Sequence, residues 1–191
     1  MLLLLEQYSL KNNMKNKYLD YIESFKDFPK EGVIFWDFTP LLENPGIFKK
    51  AIKDITNHFK NKGITKIVAI EAKGFTMGGA LASTMKKPLV LIRKPGLIPG
   101  KVLSENFIKE YGKGEYQIKQ DSVNQNDRVL IVYDIMAGAG ATKAAINLIE
   151  KQGAEVVGCA YIIELEYLQG RKELEKYDLF PLVKISKKEL K

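Results

Sequence analysis

Four short runs of the chain, Lys66–Ile70, Pro88–Ile92, Arg128–Tyr133 and Glu155–Ile163, are apolar almost without interruption and rich in Val and Ile. Runs of this kind predict strands buried on both faces of a parallel sheet, because a strand with one face in water alternates instead. Between the runs the period changes. Ile47, Ala51, Ile52, Ile55 and Phe59 recur at helical spacing. So do the apolar positions from Met77 to Met85, and Ala144, Ala145, Leu148 and Ile149 within Lys143–Gln152, where Gly153 supplies the stop. Tyr18 to Phe25 carries the same helical spacing. Strands alternating with helices predict an α/β domain built on a doubly wound, mostly parallel sheet, and such sheets bind ligands at the carboxyl ends of their strands.

The residues after each strand therefore decide the chemistry. Beyond Arg128–Tyr133 the chain reads Asp134, then Ile135 and Met136, then Ala137, Gly138, Ala139, Gly140, Ala141 and Thr142 at the start of a helix. No bulky side chain stands in Ala137–Ala141, so a phosphate can approach the backbone N–H groups at the positive end of that helix. Asp134 sits beside this cradle, within reach of hydroxyl groups on whatever carries the phosphate. No Gly-Lys-Ser/Thr follows, which argues against a P-loop NTPase, and Lys143 stands where a dinucleotide fingerprint needs its third glycine. Beyond Lys66–Ile70 comes the tight turn Glu71, Ala72, Lys73, Gly74 and Phe75. Beyond Pro88–Ile92 come two cations, Arg93 and Lys94, and a stretch rich in Pro and Gly up to Lys101. Val102 to Lys113 is polar, weakly patterned and long for a connection, which predicts a mobile lid. Three strand ends thus offer something to a phosphorylated ligand.

Composition narrows the setting. A chain of 191 residues suits one domain with a full core. The 46% hydrophobic and 28% charged content is that of a water-soluble globular protein. The single cysteine, Cys159, excludes an internal disulfide, suits a reducing compartment and falls in a predicted buried strand. With one Cys and one His there is no zinc-type ligand cluster. His58 lies among the polar positions of its helix and reads as a solvated residue. The opening Met1–Gln7 is apolar for too few residues to make a signal peptide, no segment approaches a membrane span, and a cytoplasmic location is expected. The formal charge of +7 comes from lysines scattered over helix faces and the tail Lys184–Lys191. A general lysine bias accounts for most of it, with a small, multiply phosphorylated substrate as the next reading, and a nucleic-acid partner is disfavoured.

Taken in order, Phe28–Leu42, Glu71–Phe75, Leu91–Gly100, Lys109–Lys113 and Val129–Thr142 resemble the adenine phosphoribosyltransferases of the type I phosphoribosyltransferase fold, over about residues 21 to 185. The resemblance implies a mostly parallel twisted sheet flanked by helices. It also implies a small N-terminal hood at about 21–45, a mobile lid at about 96–114, and a single domain over 21–191 behind an extension at 1–20. The implied reaction joins adenine to phosphoribosyl pyrophosphate (PRPP), giving AMP and pyrophosphate in purine salvage, with Mg2+ carried on the pyrophosphate and no direct protein ligand to the metal. A homodimer is implied, without nucleic acid or membrane. By similarity, Ala137, Gly138, Ala139, Gly140, Ala141 and Thr142 hold the 5′-phosphate and Asp134 the ribose hydroxyls. Glu71, Ala72, Lys73, Arg93 and Lys94 surround the pyrophosphate. Phe35 and Ile135 sandwich adenine, the backbone of Ile34 and Trp36 reads its edge, and Glu110, with Tyr111 beside it, exchanges a proton with the purine.

The chain departs from the family pattern on the phosphoribosyl side. Tyr133 stands in place of the first of two adjacent acids, and Gly138 and Ala141 replace two threonines whose hydroxyls bind phosphate. Thr142, one position late, is the candidate substitute. Lys73 replaces an arginine and Leu97 a lid cation. These changes support a second reading, a nucleotide-binding or sensing protein of this fold with little or no transferase activity.

Overall fold

The computed structural model describes residues 18–109 and 112–190. Seven strands form one sheet in the order β5-β6-β4-β3-β7-β8-β9. They are β3 (Lys66–Ile70), β4 (Leu89–Arg93), β5 (Val102–Lys109), β6 (Gly112–Lys119), β7 (Arg128–Met136), β8 (Glu155–Leu165) and β9 (Asp178–Ile185). The pairs from β4 through β3, β7 and β8 to β9 are parallel, whereas β6 runs antiparallel to both β4 and β5. Every strand predicted from an apolar run is present. Val68–Ile70 and Val129–Val132 are fully buried, as a sheet covered on both faces requires.

Helices α2 (Pro45–Phe59) and α3 (Gly74–Met85) cover one face, and α4 (Gly140–Glu150) covers the other. Asn44 caps α2 by accepting from the Ile47 amide at 3.0 Å, and Pro45 starts it, where a missing N–H costs nothing. Ala51, Ile55 and Phe59 point inward and are fully buried. Gly78 lets α3 lie directly on β3, since a Cβ there would come within 2.5 Å of the Ala69 Cβ.

Two expectations change. Tyr18–Phe25 forms no continuous helix: a short turn leads into β1 (Glu23–Lys26), which pairs antiparallel with β2 (Ile34–Asp37) to make a separate two-stranded hood, followed by the short helix α1 (Thr39–Glu43). Tyr18 is the one residue of that span firmly held in the core, and its hydroxyl donates to Asp54 at 2.6 Å. The stretch expected as an irregular connection, Val102–Lys113, is instead the first strand and the start of the second in the β5–β6 hairpin, paired from Val102↔Lys119 to Lys109↔Gly112. The reading of Met1–Gln7 and the assignments to Glu110 and Tyr111 lie outside the described residues. Among the described residues no helix is long and apolar enough to cross a membrane.

Candidate active site

The carboxyl ends of β3, β4 and β7 open on the same edge of the sheet, and the hood and the β5–β6 hairpin stand on either side of it. Because successive residues of a strand face opposite ways, Tyr133 and Asp134 divide their work. Tyr133 packs with the cluster under α4, and Asp134 turns toward the hood. Burial pushes the Asp134 carboxyl above its usual range, against the pull of the Ile135 amide and the nearby Lys73 ammonium.

Past Met136 the chain enters the small-residue loop. Ala139 is buried, Ala137, Gly138, Gly140 and Ala141 are half-buried, and the first intrahelical bond of α4 runs from the Lys143 amide to the Ala139 carbonyl at 2.9 Å. The amides of Gly140, Ala141 and Thr142 precede that bond and have no partner within the helix, so their partial positive charge collects at the loop. A cavity of about 130 Å³ opens there, lined by Ile108, Tyr133, Ile135, Ala137, Gly138, Gly140 and Ala141. Its size and amide lining suit a phosphoryl group. The Thr142 hydroxyl does not serve it: the residue is 1% exposed and its Oγ1 accepts from the buried Tyr161 hydroxyl at 3.1 Å, so Thr142 contributes its amide alone.

The turn after β3 forms a charged counterpart. The Glu71–Ala72 peptide is cis, and Glu71 Oε2 accepts from Arg93 Nε at 3.2 Å and from the Lys94 amide at 2.9 Å. One carboxylate thus ties the ends of β3 and β4 together. Arg93 also donates to the Leu97 carbonyl at 3.1 Å, while the side chain of Lys94 is exposed. Lys73 joins the turn to the hood: its ammonium lies 4.4 Å from the centre of the Phe35 ring, 5.1 Å from that of Phe38 and 3.8 Å from Asp37 Oδ1. Phe35 is half-buried, with the Phe28 ring edge-on at 5.2 Å, Ile34 is half-buried, and Trp36 is buried in the main core. The two sides of the site therefore meet through Lys73.

The hairpin closes the remaining side. Glu105 accepts from Asn147 of α4 at 2.8 Å and pairs with Lys151 just past the helix end, and those bonds draw its carboxyl below the usual range. Ile108 lies against the loop so tightly that a Cβ on Gly140 would come within 2.2 Å of its carbonyl oxygen. The Tyr116 hydroxyl of β6 meets the Tyr133 hydroxyl at 3.1 Å.

Sequence reasoning missed Tyr116, Ile108 and the segment behind the loop. Tyr116 and Ile118 do alternate as a half-buried strand would, and that was the available signal. His58, read as solvated, is a third exposed but occupied: Nε2 lies 2.8 Å from Asp178 Oδ2 and the ring stacks on Phe180. Cys159 is fully buried, and burial pushes its thiol up to about 12.

A mostly parallel α/β sheet with an amide cradle after its central acidic strand end, a cationic turn beside it and a separate aromatic hood defines a class of transferase for phosphorylated sugars. Residues 39–188 match the family model described as "Phosphoribosyl transferase domain". The chain is 45% identical over 163 residues to the adenine phosphoribosyltransferase of Thermosipho melanesiensis, covering 85% of this chain and 93% of that one. Among solved structures, the Rhodothermus marinus adenine phosphoribosyltransferase aligns with a TM-score of 0.86 and 37% identity over 91% of this chain and 99% of the other. The Giardia lamblia enzyme complexed with 9-deazaadenine aligns with a TM-score of 0.85 and 30% identity over 89% and 97%. The chain belongs to the adenine phosphoribosyltransferases, a branch of the type I phosphoribosyltransferase family.

Proposed function

We propose that this site transfers the phosphoribosyl group of PRPP to adenine, releasing pyrophosphate and forming AMP for purine salvage, with each strand end handling one part of the substrate. The observation that carries the division is the cradle beyond Asp134, free of bulky side chains, facing an aromatic hood across Lys73. The amides from Ala137 to Thr142 take the 5′-phosphate and Asp134 takes ribose hydroxyls. The turn Glu71–Lys73, with Arg93 and Lys94, takes the pyrophosphate. Adenine stacks between Phe35 and Ile135, with the backbone of Ile34 and Trp36 on its edge, and on that face it displaces the Lys73 ammonium toward the leaving group.

Breaking the anomeric bond leaves a cationic sugar and a departing polyanion. Stabilisation therefore has to come from fixed positive charge already aimed at the leaving oxygens. Arg93 meets this need because Glu71 and the Leu97 carbonyl hold its guanidinium in place. Mg2+ would arrive chelated by the pyrophosphate with no direct protein ligand, the carboxylates of Asp134 and Glu71 at the strand ends accepting only from its water shell. Held there, it would supply further neutralisation of the leaving group. The hairpin, as a lid over about 96–114, keeps water from the reactive sugar. Glu110, with Tyr111 beside it, exchanges a proton with the base, an aid worth on the order of 10² in rate.

A cytoplasmic homodimer belongs to the same reading. The dimer's support is the apolar patch of Leu89 and Leu91 on β4 with Leu97 beyond its end, 37–44% exposed. Light scattering on the purified protein tests it. For the reaction, the protein is incubated with Mg2+, PRPP and each purine base in turn. AMP formed from adenine, and lost in Asp134→Ala, supports the assignment. Thermal stabilisation by ligand without turnover supports the sensor instead.

A further inference from the structure

A loop built of alanine and glycine has no side chains with which to fix its own shape, yet an amide cradle works only if its N–H groups are held on target. The shape is imposed from behind. After β8 the chain makes two short 3-10 turns, Glu166–Leu168 and Gly170–Leu174, and the second lies directly beneath the loop. A Cβ on Gly170 would stand 2.6 Å from the Ala137 carbonyl oxygen, 2.8 Å from the Gly138 carbonyl carbon and 3.1 Å from the Ala139 nitrogen. The contact is main chain on main chain, with no flexible side chain to yield.

That turn is itself clamped. Glu164, near the end of β8, is 3% exposed, and Arg171 grips it with a two-pronged fork, Nε to Oε1 at 2.8 Å and Nη2 to Oε2 at 2.6 Å. Arg171 Nη2 also reaches the Leu179 carbonyl at 3.3 Å on β9, and Lys184 stands 3.9 Å from the same carboxylate. A buried carboxylate with this many donors has one geometry, and a planar guanidinium fixes direction as well as distance. Leu174 is fully buried at the far end of the turn, and Glu173 pairs with Lys143 in the first turn of α4. The turn is thus held at three points: by the fork to β8 and β9, by Leu174 in the core, and by Glu173 on the first turn of α4.

We propose that Gly170 and Arg171 are positioning residues for the sugar-phosphate cradle: the Arg171–Glu164 fork presses the Gly170 backbone against Ala137–Ala139 and so aims the loop amides at the 5′-phosphate. This rests on the transferase reading of the site and adds residues that touch no substrate. The device suits this chain in particular, because Gly138 and Ala141 lack the hydroxyls that would otherwise hold phosphate by their own bonds.

The test is steady-state kinetics on Gly170→Ala, Arg171→Lys and Arg171→Ala, with ribose-5-phosphate binding followed by calorimetry. Gly170 lies in a 3-10 turn without a positive φ, so alanine strains only the contact with the loop. The expected result is a KM for PRPP and a Kd for ribose-5-phosphate raised tenfold or more in Gly170→Ala, with the KM for adenine within twofold of wild type. Arg171→Lys should recover part of the loss seen in Arg171→Ala, in the same parameter. An unchanged KM for PRPP, or a fall confined to kcat that tracks lost folded protein, overturns the proposal. If Gly170→Ala does not fold, the Arg171 pair decides on the same parameters. Wild-type protein that makes no AMP would instead count against the transferase reading; ribose-5-phosphate binding, still altered by Gly170→Ala, would then leave the positioning role standing.

Discussion

Replacing Gly140 by alanine tests how closely the hairpin and the cradle are matched. The new Cβ would lie 2.2 Å from the Ile108 carbonyl oxygen, where real Cβ contacts essentially never fall below 3.0 Å. Either β5 withdraws by about 1 Å or the first turn of α4 does, and a misplacement of this size in a catalytic constellation costs on the order of 10² in rate. The helix itself does not suffer, because Gly140 has a helical backbone and alanine is the better helix former by up to about 1 kcal/mol. The expected result is therefore a kcat/KM for PRPP lowered about a hundredfold by the positional argument, in a folded protein whose melting temperature falls, because overpacking at about 1–3 kcal/mol outweighs the helix gain. Pyrophosphate release measures the rate, and amide hydrogen exchange over Val102–Ile108 reports whether the hairpin has lifted. Activity within twofold of wild type, with unaltered exchange, would refute the claim that the docked hairpin and the loop act as one unit.

Three further outcomes follow from the same geometry. Phe35→Ala should raise the KM for adenine by roughly ten- to a hundredfold, the range of one lost base–aromatic stack at about 1–3 kcal/mol, and leave the KM for PRPP alone; equal changes in both would remove Phe35 from the base subsite. Asp134 gives a pH signature. Its carboxyl is raised by burial, so the fold is favoured by its protonation and that advantage fades as pH rises through the raised value. Catalysis needs the anion, and the acid limb of kcat/KM should lie above the usual carboxylate range and vanish in Asp134→Asn, while wild type gains stability over Asp134→Asn on acidification; a limb that persists in Asp134→Asn assigns it to another group. The double variant Gly138→Thr, Ala141→Thr should tighten ribose-5-phosphate binding tenfold or more, since each charge-assisted hydrogen bond contributes about 1.5–3 kcal/mol, and calorimetry showing no gain would count against the placement of the phosphate.

What the sequence could reveal depended on how each element earns its stability. β3 and β7 lie between two helical layers, so continuous apolar runs were enough to find them. β5 hid because Glu105 takes an inward position, where Asn147 and Lys151 satisfy it, and that breaks the alternation a hairpin strand normally shows. β6 begins with Gly112 and Gly114 and buries only Tyr116 and Ile118. β9 carries Pro181, tolerated because β9 is the sheet's edge strand and no further strand needs that N–H. The four residues of β1 are all exposed, so no hydrophobic pattern marks them. At the site, Asp134 and the glycine-alanine loop were legible from local chemistry alone. The inward turn of Thr142 toward Tyr161, the reach of Lys73 across to Phe35 and the backing of the loop by Gly170 were not, because each depends on partners between 19 and 38 positions away in the chain.

The central claim is that a phosphorylated ribose docks on the main-chain amides between Ala137 and Thr142. A crystal structure of the protein with AMP tests this most directly. The account predicts the 5′-phosphate within hydrogen-bonding distance of the Gly140, Ala141 and Thr142 amides, the ribose hydroxyls on Asp134 and adenine against Phe35. A phosphate bound elsewhere, with this cradle closed by the Ile108 backbone, would contradict it.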